Sequence, residues 1–114
     1  PNPLIQFMSF SEGITAYGSY LCAYSRDQFG LVRLWITFRK EGLFSERTVV
    51  GVLPQGFRPS NAIHTEGSGW QVGTNGLYII DVYISVYGEI VFYFNTQPNK
   101  CNTGSVNVCF PVHS

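Results

Sequence analysis

The chain has 114 residues, of which 12% are charged, 45% hydrophobic and 16% aromatic, and seven Lys+Arg balance seven Asp+Glu. This length fits one domain, 1–114, and is too short for two well-cored units. The apolar content excludes disorder, and the zero net charge excludes a nucleic-acid binder or a basic membrane-surface helix working by general electrostatics.

The chain opens Pro1-Asn2-Pro3-Leu4, with neither the basic start nor the apolar stretch of a signal peptide. It lacks an initiator Met, as expected of a piece excised from a longer chain. Its apolar runs are too short and interrupted for a transmembrane helix. Helical periodicity is nearly absent, and two-residue alternation between Gly, Pro, Asn and Ser clusters takes its place. The first strand is predicted at 17–25. The next, 31–39, sets Val32, Leu34, Ile36 and Phe38 against Leu31, Arg33, Trp35, Thr37 and Arg39. Another strand is predicted at 47–53.

The stretch Val52-Leu53-Pro54-Gln55-Gly56-Phe57-Arg58-Pro59-Ser60 follows. Pro54 fixes φ, Gly56 permits an unusual dihedral, and Pro59 forces Arg58 to be extended. A strand at 61–65 leads into His64-Thr65-Glu66-Gly67-Ser68-Gly69-Trp70. This puts an imidazole, a carboxylate and an indole beside a Gly-Ser-Gly turn. An aromatic face stacks on a sugar's C–H surface, while His and carboxylate groups orient its hydroxyls. His64, Glu66 and Trp70 are therefore candidate saccharide-binding residues. The alternative reading is a strand, a polar loop, and Trp70 as a core residue opening the next strand.

From 77 to 86, Tyr78, Ile80, Val82, Ile84 and Val86 oppose Ile79, Asp81, Tyr83 and Ser85. Asp81 breaks an apolar face, near Tyr83 and Tyr93. It reads either as hydrogen-bonded at a subunit seam or as part of a polar pocket, and joins the saccharide candidates. Val86-Tyr87-Gly88-Glu89 reads as a tight hairpin in which Gly88 supplies a positive φ. Beyond it, 89–95 sets Ile90, Phe92 and Phe94 against Val91 and Tyr93. Gly30 and Gly42 share their twelve-residue spacing with Gly76 and Gly88, as two hairpins of similar design would. A last strand is predicted at 105–112.

These strands and turns indicate an all-β fold, an antiparallel β-sandwich or small β-barrel of jelly-roll type. Leu31, Trp35, Ile79, Tyr83 and Tyr93 lie opposite the core-facing residues, so both faces are partly apolar. With so little charge, this predicts a homo-oligomer whose copies shelter the outer face and the strand edges. Arg33 and Arg39 read as surface or interface charges, and Trp35 as a seam residue.

Cys22, Cys101 and Cys109 are an odd number and include no CxxC pair. Packed free thiols are expected, with no structural zinc and no other metal. No GxSxG, Walker loop, HExxH or GxGxxG is present, and no spacing fixes a carboxylate pair. No catalytic residue and no cofactor is expected.

The stretch 53–60, LPQGFRPS, resembles the LPxGFRPS motif of the C-terminal domains of bacteriophage tail-fibre and receptor-binding proteins, especially from phages of Gram-positive hosts. Ile84-Ser85-Val86-Tyr87-Gly88-Glu89-Ile90 is similar to the hairpin that follows it there. The resemblance covers about 31–95. It implies a homotrimeric β-head at the tail tip or baseplate that adheres to host cell-wall saccharide without catalysis. Lactococcal phage heads are one such likeness. Pro54, Gly56, Arg58, Pro59 and Gly88 would then be architectural, placing loops rather than touching ligand. The remainder of the phage tail would be a partner, and nucleic acid and membrane would not. The competing readings are a baseplate- or capsid-like module that only docks neighbouring proteins, and a glycan-cleaving domain.

Overall fold

Val32, Leu34, Ile36 and Phe38 are buried, whereas Leu31, Arg33, Trp35, Thr37 and Arg39 between them are exposed or half-buried. This alternation is the physical origin of the longest strand, because successive side chains point to opposite faces of a sheet. The computed structural model describes residues 4–112, so His113 and the first three residues lie outside the described part. In chain order the strands are β1 (Leu4–Phe7), β2 (Ile14–Ala16), β3 (Ala23–Arg26), β4 (Leu31–Phe44), β5 (Arg47–Val52), β6 (Ile63–Trp70), β7 (Leu77–Ile84), β8 (Glu89–Tyr93) and β9 (Cys101–Pro111). A 3-10 turn, Phe94–Thr96, follows β8.

The strands form one antiparallel sheet in the order β1-β3-β4-β9-β6-β7-β8-β5, with β2 joining β4 beside β3. The sheet curls until its ends approach. Met8 N–H donates to the Cys22 carbonyl at 2.8 Å, prolonging the β1–β3 pairing. Two residues later Phe10 bridges Gly51 of β5. Ser11 then donates its N–H to the Val50 carbonyl at 2.9 Å and its hydroxyl to the Val49 carbonyl at 2.8 Å. The segment after β1 thus straps the two ends of the sheet together. Of the two architectures predicted, this is the barrel: one curled half-barrel rather than two stacked sheets.

Inside the curl lies an aromatic core. Phe38 meets Phe92 edge-to-face with centroids 4.8 Å apart, and Phe44 stacks on Phe94 at 4.1 Å. Such geometries suit the ring quadrupoles. Leu34, Ile36, Ile80, Ile84 and Ile90 complete it.

Several strand expectations need correction. The strand expected at 17–25 forms only at its end, as β3, because 17–22 is the connection between β2 and β3, in which Gly18 has φ +58°. At this gap the Cys22 thiol takes over as partner of β4. It donates to the Thr37 carbonyl at 3.1 Å and accepts the Thr37 N–H at 3.4 Å. Gly42 does not turn a hairpin. It lies inside β4, where the register with β9 shifts between Arg39 and Phe44. The Gly-spacing echo therefore has no structural counterpart. Gly88 does carry a positive φ, +89°, in the β7–β8 connection.

The Gly-Ser-Gly sequence is not a turn either, because β6 runs through it to Trp70. Gly67 and Gly69 face inward, where a Cβ on Gly67 would strike the Ser105 carbonyl oxygen and one on Gly69 would sit 2.8 Å from the Cys101 sulfur. These glycines are absences of side chain over a crowded core, which the sequence shows only as flexibility. The three cysteines are free, with Cys22 and Cys101 buried and Cys109 exposed. Cys101 and Cys109 sit eight residues apart on one strand, about 26 Å, far beyond disulfide reach.

Candidate functional site

The β6–β7 ladder sets His64 opposite Tyr83 and Glu66 opposite Asp81. Directly paired residues share a face, with Cβ atoms about 5 Å apart. Because Val82 and Ile84 point into the core, this shared face is the outer one. His64, Glu66 and Asp81 are exposed on it, and the His64 ring packs on Tyr83 with centroids 4.8 Å apart.

An open cleft of about 430 Å³ is lined by His64, Thr65, Asp81, Val82, Tyr93 and Thr96. A neighbouring depression adds Glu66 to His64, Thr65 and Asp81. Tyr93, from β8, forms the far wall, with the Arg47 guanidinium of β5 lying 5.9 Å from its ring centre. Asp27 elsewhere directs its carboxylate to the N–H groups of Phe29 and Leu31, at 2.9 Å each. Glu66 and Asp81 hold no such bonds among the described residues. The cleft therefore offers two uncommitted carboxylates, an imidazole and a phenol ring. That set can orient hydroxyls and stack against an apolar ring face.

Three of the four saccharide candidates, His64, Glu66 and Asp81, are thus brought together, and Trp70 is not. It ends β6, four residues beyond Glu66 and about 13 Å along the strand. Its half-buried indole is edge-on to Tyr17 at 6.4 Å, and Tyr17 stacks on Tyr20 at 5.8 Å. Trp70 is neither a cleft residue nor a core residue opening the next strand. With no turn in the Gly-Ser-Gly stretch, the chain does not fold the indole back toward His64.

At the end of the barrel the stretch 53–60 is bonded to several elements at once. The Arg58 Nε donates to the Leu53 carbonyl at 2.9 Å, and the Leu53 N–H donates to the Gly88 carbonyl at 2.8 Å. Gly56, at φ +96°, accepts a 2.9 Å hydrogen bond from the Arg26 guanidinium. Phe57 meets Tyr24 edge-to-face at 4.9 Å, and Pro59 bridges Val112. Pro54, through its carbonyl, accepts the Phe57 N–H at 3.1 Å and closes the turn.

No family model matches this sequence, and no curated protein sequence does. Solved structures do match. The head domain of lactococcal phage bIL170, described as a receptor-binding domain, superposes with a TM-score of 0.69 at 16% identity, covering 98% of this chain and 100% of that one. The receptor-binding protein gp15 of Listeria phage PSA superposes with a TM-score of 0.73 at 19% identity, covering 99% of this chain and 67% of that one.

The chain has the fold of a phage receptor-binding head.

Within this fold the cleft draws on residues that motifs alone did not mark. Tyr83 and Tyr93 were legible only as neighbours of Asp81, and Thr96 and Arg47 not at all. The signal for the tyrosines was the Gly88 hairpin, since pairing Ile84 with Ile90 brings Asp81 and Tyr93 onto one face. Thr96 lies in the 3-10 turn, and Arg47 enters through β5, which pairs with β8 across a long sequence gap.

Proposed function

We propose that this head is a phage tail adhesion module that binds host cell-surface saccharide reversibly and without catalysis. The observation that carries this reading is the convergence of His64, Glu66 and Asp81 on one exposed face, lining an open cleft and the depression beside it, on a chain with the receptor-binding head fold. In it Tyr93 and His64 stack on the sugar's apolar face while Asp81 and Glu66 accept its hydroxyl protons. No metal or cofactor enters this reading. Pro54, Gly56, Arg58, Pro59 and Gly88 hold the end of the barrel and touch no ligand. So open a site binds each sugar weakly, and attachment relies on several copies engaging together, which raises avidity about 10²–10⁴-fold.

The copies are supplied first by a homotrimer. Its seam runs along the outer face of β4, where Leu31 is 45% exposed and Trp35 half-buried with the Arg33 guanidinium 5.2 Å from its ring centre. The remainder of the tail or baseplate would carry this trimer on the virion.

Glycan cleavage is the second reading, and one observation favours it. Glu66 and Asp81 are directly opposed, with Cβ atoms about 5 Å apart, so their carboxyl groups can adopt the spacing of about 5 Å that retaining glycosidases use. Both are exposed, however, so neither is desolvated as a general acid requires. Incubation with purified Gram-positive wall polysaccharide tests both. Adhesion predicts retention of the polymer, lost on Asp81→Ala, with no new reducing ends. Release of short fragments would replace adhesion with hydrolysis, and absence of binding to any wall glycan would leave only a docking module.

A further inference from the structure

We infer that the outer face of the β6–β7 hairpin is a linear track for a saccharide chain, entered at His64 and ending on Trp70. This deepens the adhesion reading and rests on it. Alternation along β6 turns His64, Glu66, Ser68 and Trp70 outward, while Gly67 and Gly69 close over the core. In register, β7 sets Tyr83, Asp81, Ile79 and Leu77 beside them. The face is therefore a row of four cross-strand pairs: two rings in tilted contact, two carboxylates, a hydroxyl with an aliphatic chain, and an indole with an aliphatic chain.

In the middle of this row the β6 side is small and half-buried at Ser68, while the β7 side presents the exposed aliphatic Ile79. Aromatic rings mark its two ends, the His64–Tyr83 pair at one and Trp70 at the other, its indole braced edge-on by Tyr17. From His64 to Trp70 the strand advances about 20 Å, the length of about four linked pyranose rings. A wall polysaccharide presents the complementary alternation of apolar ring faces and hydroxyls along its own length. A monosaccharide would use only the cleft, so the separation of Trp70 from the cleft is what a chain-length-selective site requires. Ile79, 69% exposed and directly opposite Ser68, lies beneath the middle of that chain.

The test uses size-fractionated fragments of purified Gram-positive wall polysaccharide, one to six sugars long, titrated calorimetrically into the full chain. Affinity should climb with length up to about four sugars and then level off. Trp70→Ala should cost four-sugar fragments about 10-fold and leave disaccharides unchanged. Should Trp70→Ala fail to fold, Ile79→Arg decides, because an exposed side chain can change without loss of the core. It should weaken the long fragments and spare the short ones. An affinity already maximal at the disaccharide, or variants that affect all lengths equally or not at all, would overturn the track and leave the cleft standing. Failure of every fragment to bind the wild-type chain would overturn the saccharide reading and the track together.

Discussion

Gly88 lies so close against Leu53 that a Cβ on Gly88 would overlap the Leu53 carbonyl oxygen, and the same Leu53 donates its N–H to the Gly88 carbonyl at 2.8 Å. The β7–β8 hairpin and the stretch 53–60 are thus fastened to one another through backbone. Two costs combine in Gly88→Val. A left-handed conformation costs a residue with a Cβ about 1–2 kcal/mol, and crowding against fixed backbone adds about 1–3 kcal/mol. Thermal denaturation should show a loss of several degrees. A variant as stable as wild type would mean that neither the turn nor the contact is as described.

Gly69→Ala should destabilise by about 1–3 kcal/mol although Gly69 sits inside a strand at no special dihedral. The added methyl would lie 2.8 Å from the Cys101 sulfur and 3.0 Å from an Ile80 side-chain carbon. Urea unfolding measures this directly. A rise in stability, the usual result of removing glycine from a chain, would show that the core can yield here.

These two glycines mark where the sequence was legible and where it was not. Gly88 stood between two alternating runs, and local chemistry sufficed to read its turn. Gly69 looked the same in composition, but its reason is the Cys101 sulfur from far along the chain and the Ile80 side chain of the next strand. The inner faces of β4, β7 and β8 were readable because alternation is local. The strap from Met8 to Ser11 and the entry of Arg47 beside the cleft were not, because each depends on which strands become neighbours. His64, Glu66 and Asp81 were found through residue chemistry, and only the β6–β7 register could say that Trp70 stands apart from them.

Thiol reagents at neutral pH should spare Cys22 and Cys101 in the native chain and label them only after unfolding. Burial raises the thiols of Cys22 and Cys101 above their ordinary value of 9.0, with the Thr37 backbone partly offsetting this at Cys22. Reaction needs the thiolate, so both are shielded by access and by ionisation. The sign for stability follows. A folded pKa above the unfolded one favours the folded state fully below the ordinary thiol value, and that contribution is lost as pH rises through the folded one. Unfolding midpoints should therefore fall on the alkaline side, above about pH 9, and less so in Cys101→Ser if that variant folds. Mass spectrometry counts the labelled thiols.

Asp81→Asn should separate binding from stability. Like charges directly opposite on neighbouring strands destabilise a sheet, so removing one from the Glu66–Asp81 pair should raise stability by a few tenths of a kcal/mol. Binding to wall polysaccharide should fall at the same time. A functional site accepts such a local cost, whereas a surface pair with no role would give the stability gain alone. Melting and retention assays on the same preparation distinguish the two.

Leu31→Glu tests the proposed trimer at an exposed apolar residue of its seam. Leu31 faces Pro111 across the β4–β9 ladder and shares its face with Trp35, four pairs further along. At 45% exposure in a single chain, its substitution leaves the barrel core of Val32, Leu34 and Ile36 untouched. A charge there would have to be desolvated against the neighbouring copy, where no partner awaits it. Sedimentation should show wild type as a trimer and Leu31→Glu as a folded monomer with unchanged far-ultraviolet dichroism. Affinity for a single short saccharide should persist in that monomer, because the β6–β7 cleft is built within one chain, while retention on intact polymer should drop by the lost avidity, about 10²-fold or more. A wild-type chain that sediments as a monomer at high concentration would remove the seam, and would leave the cleft to act alone.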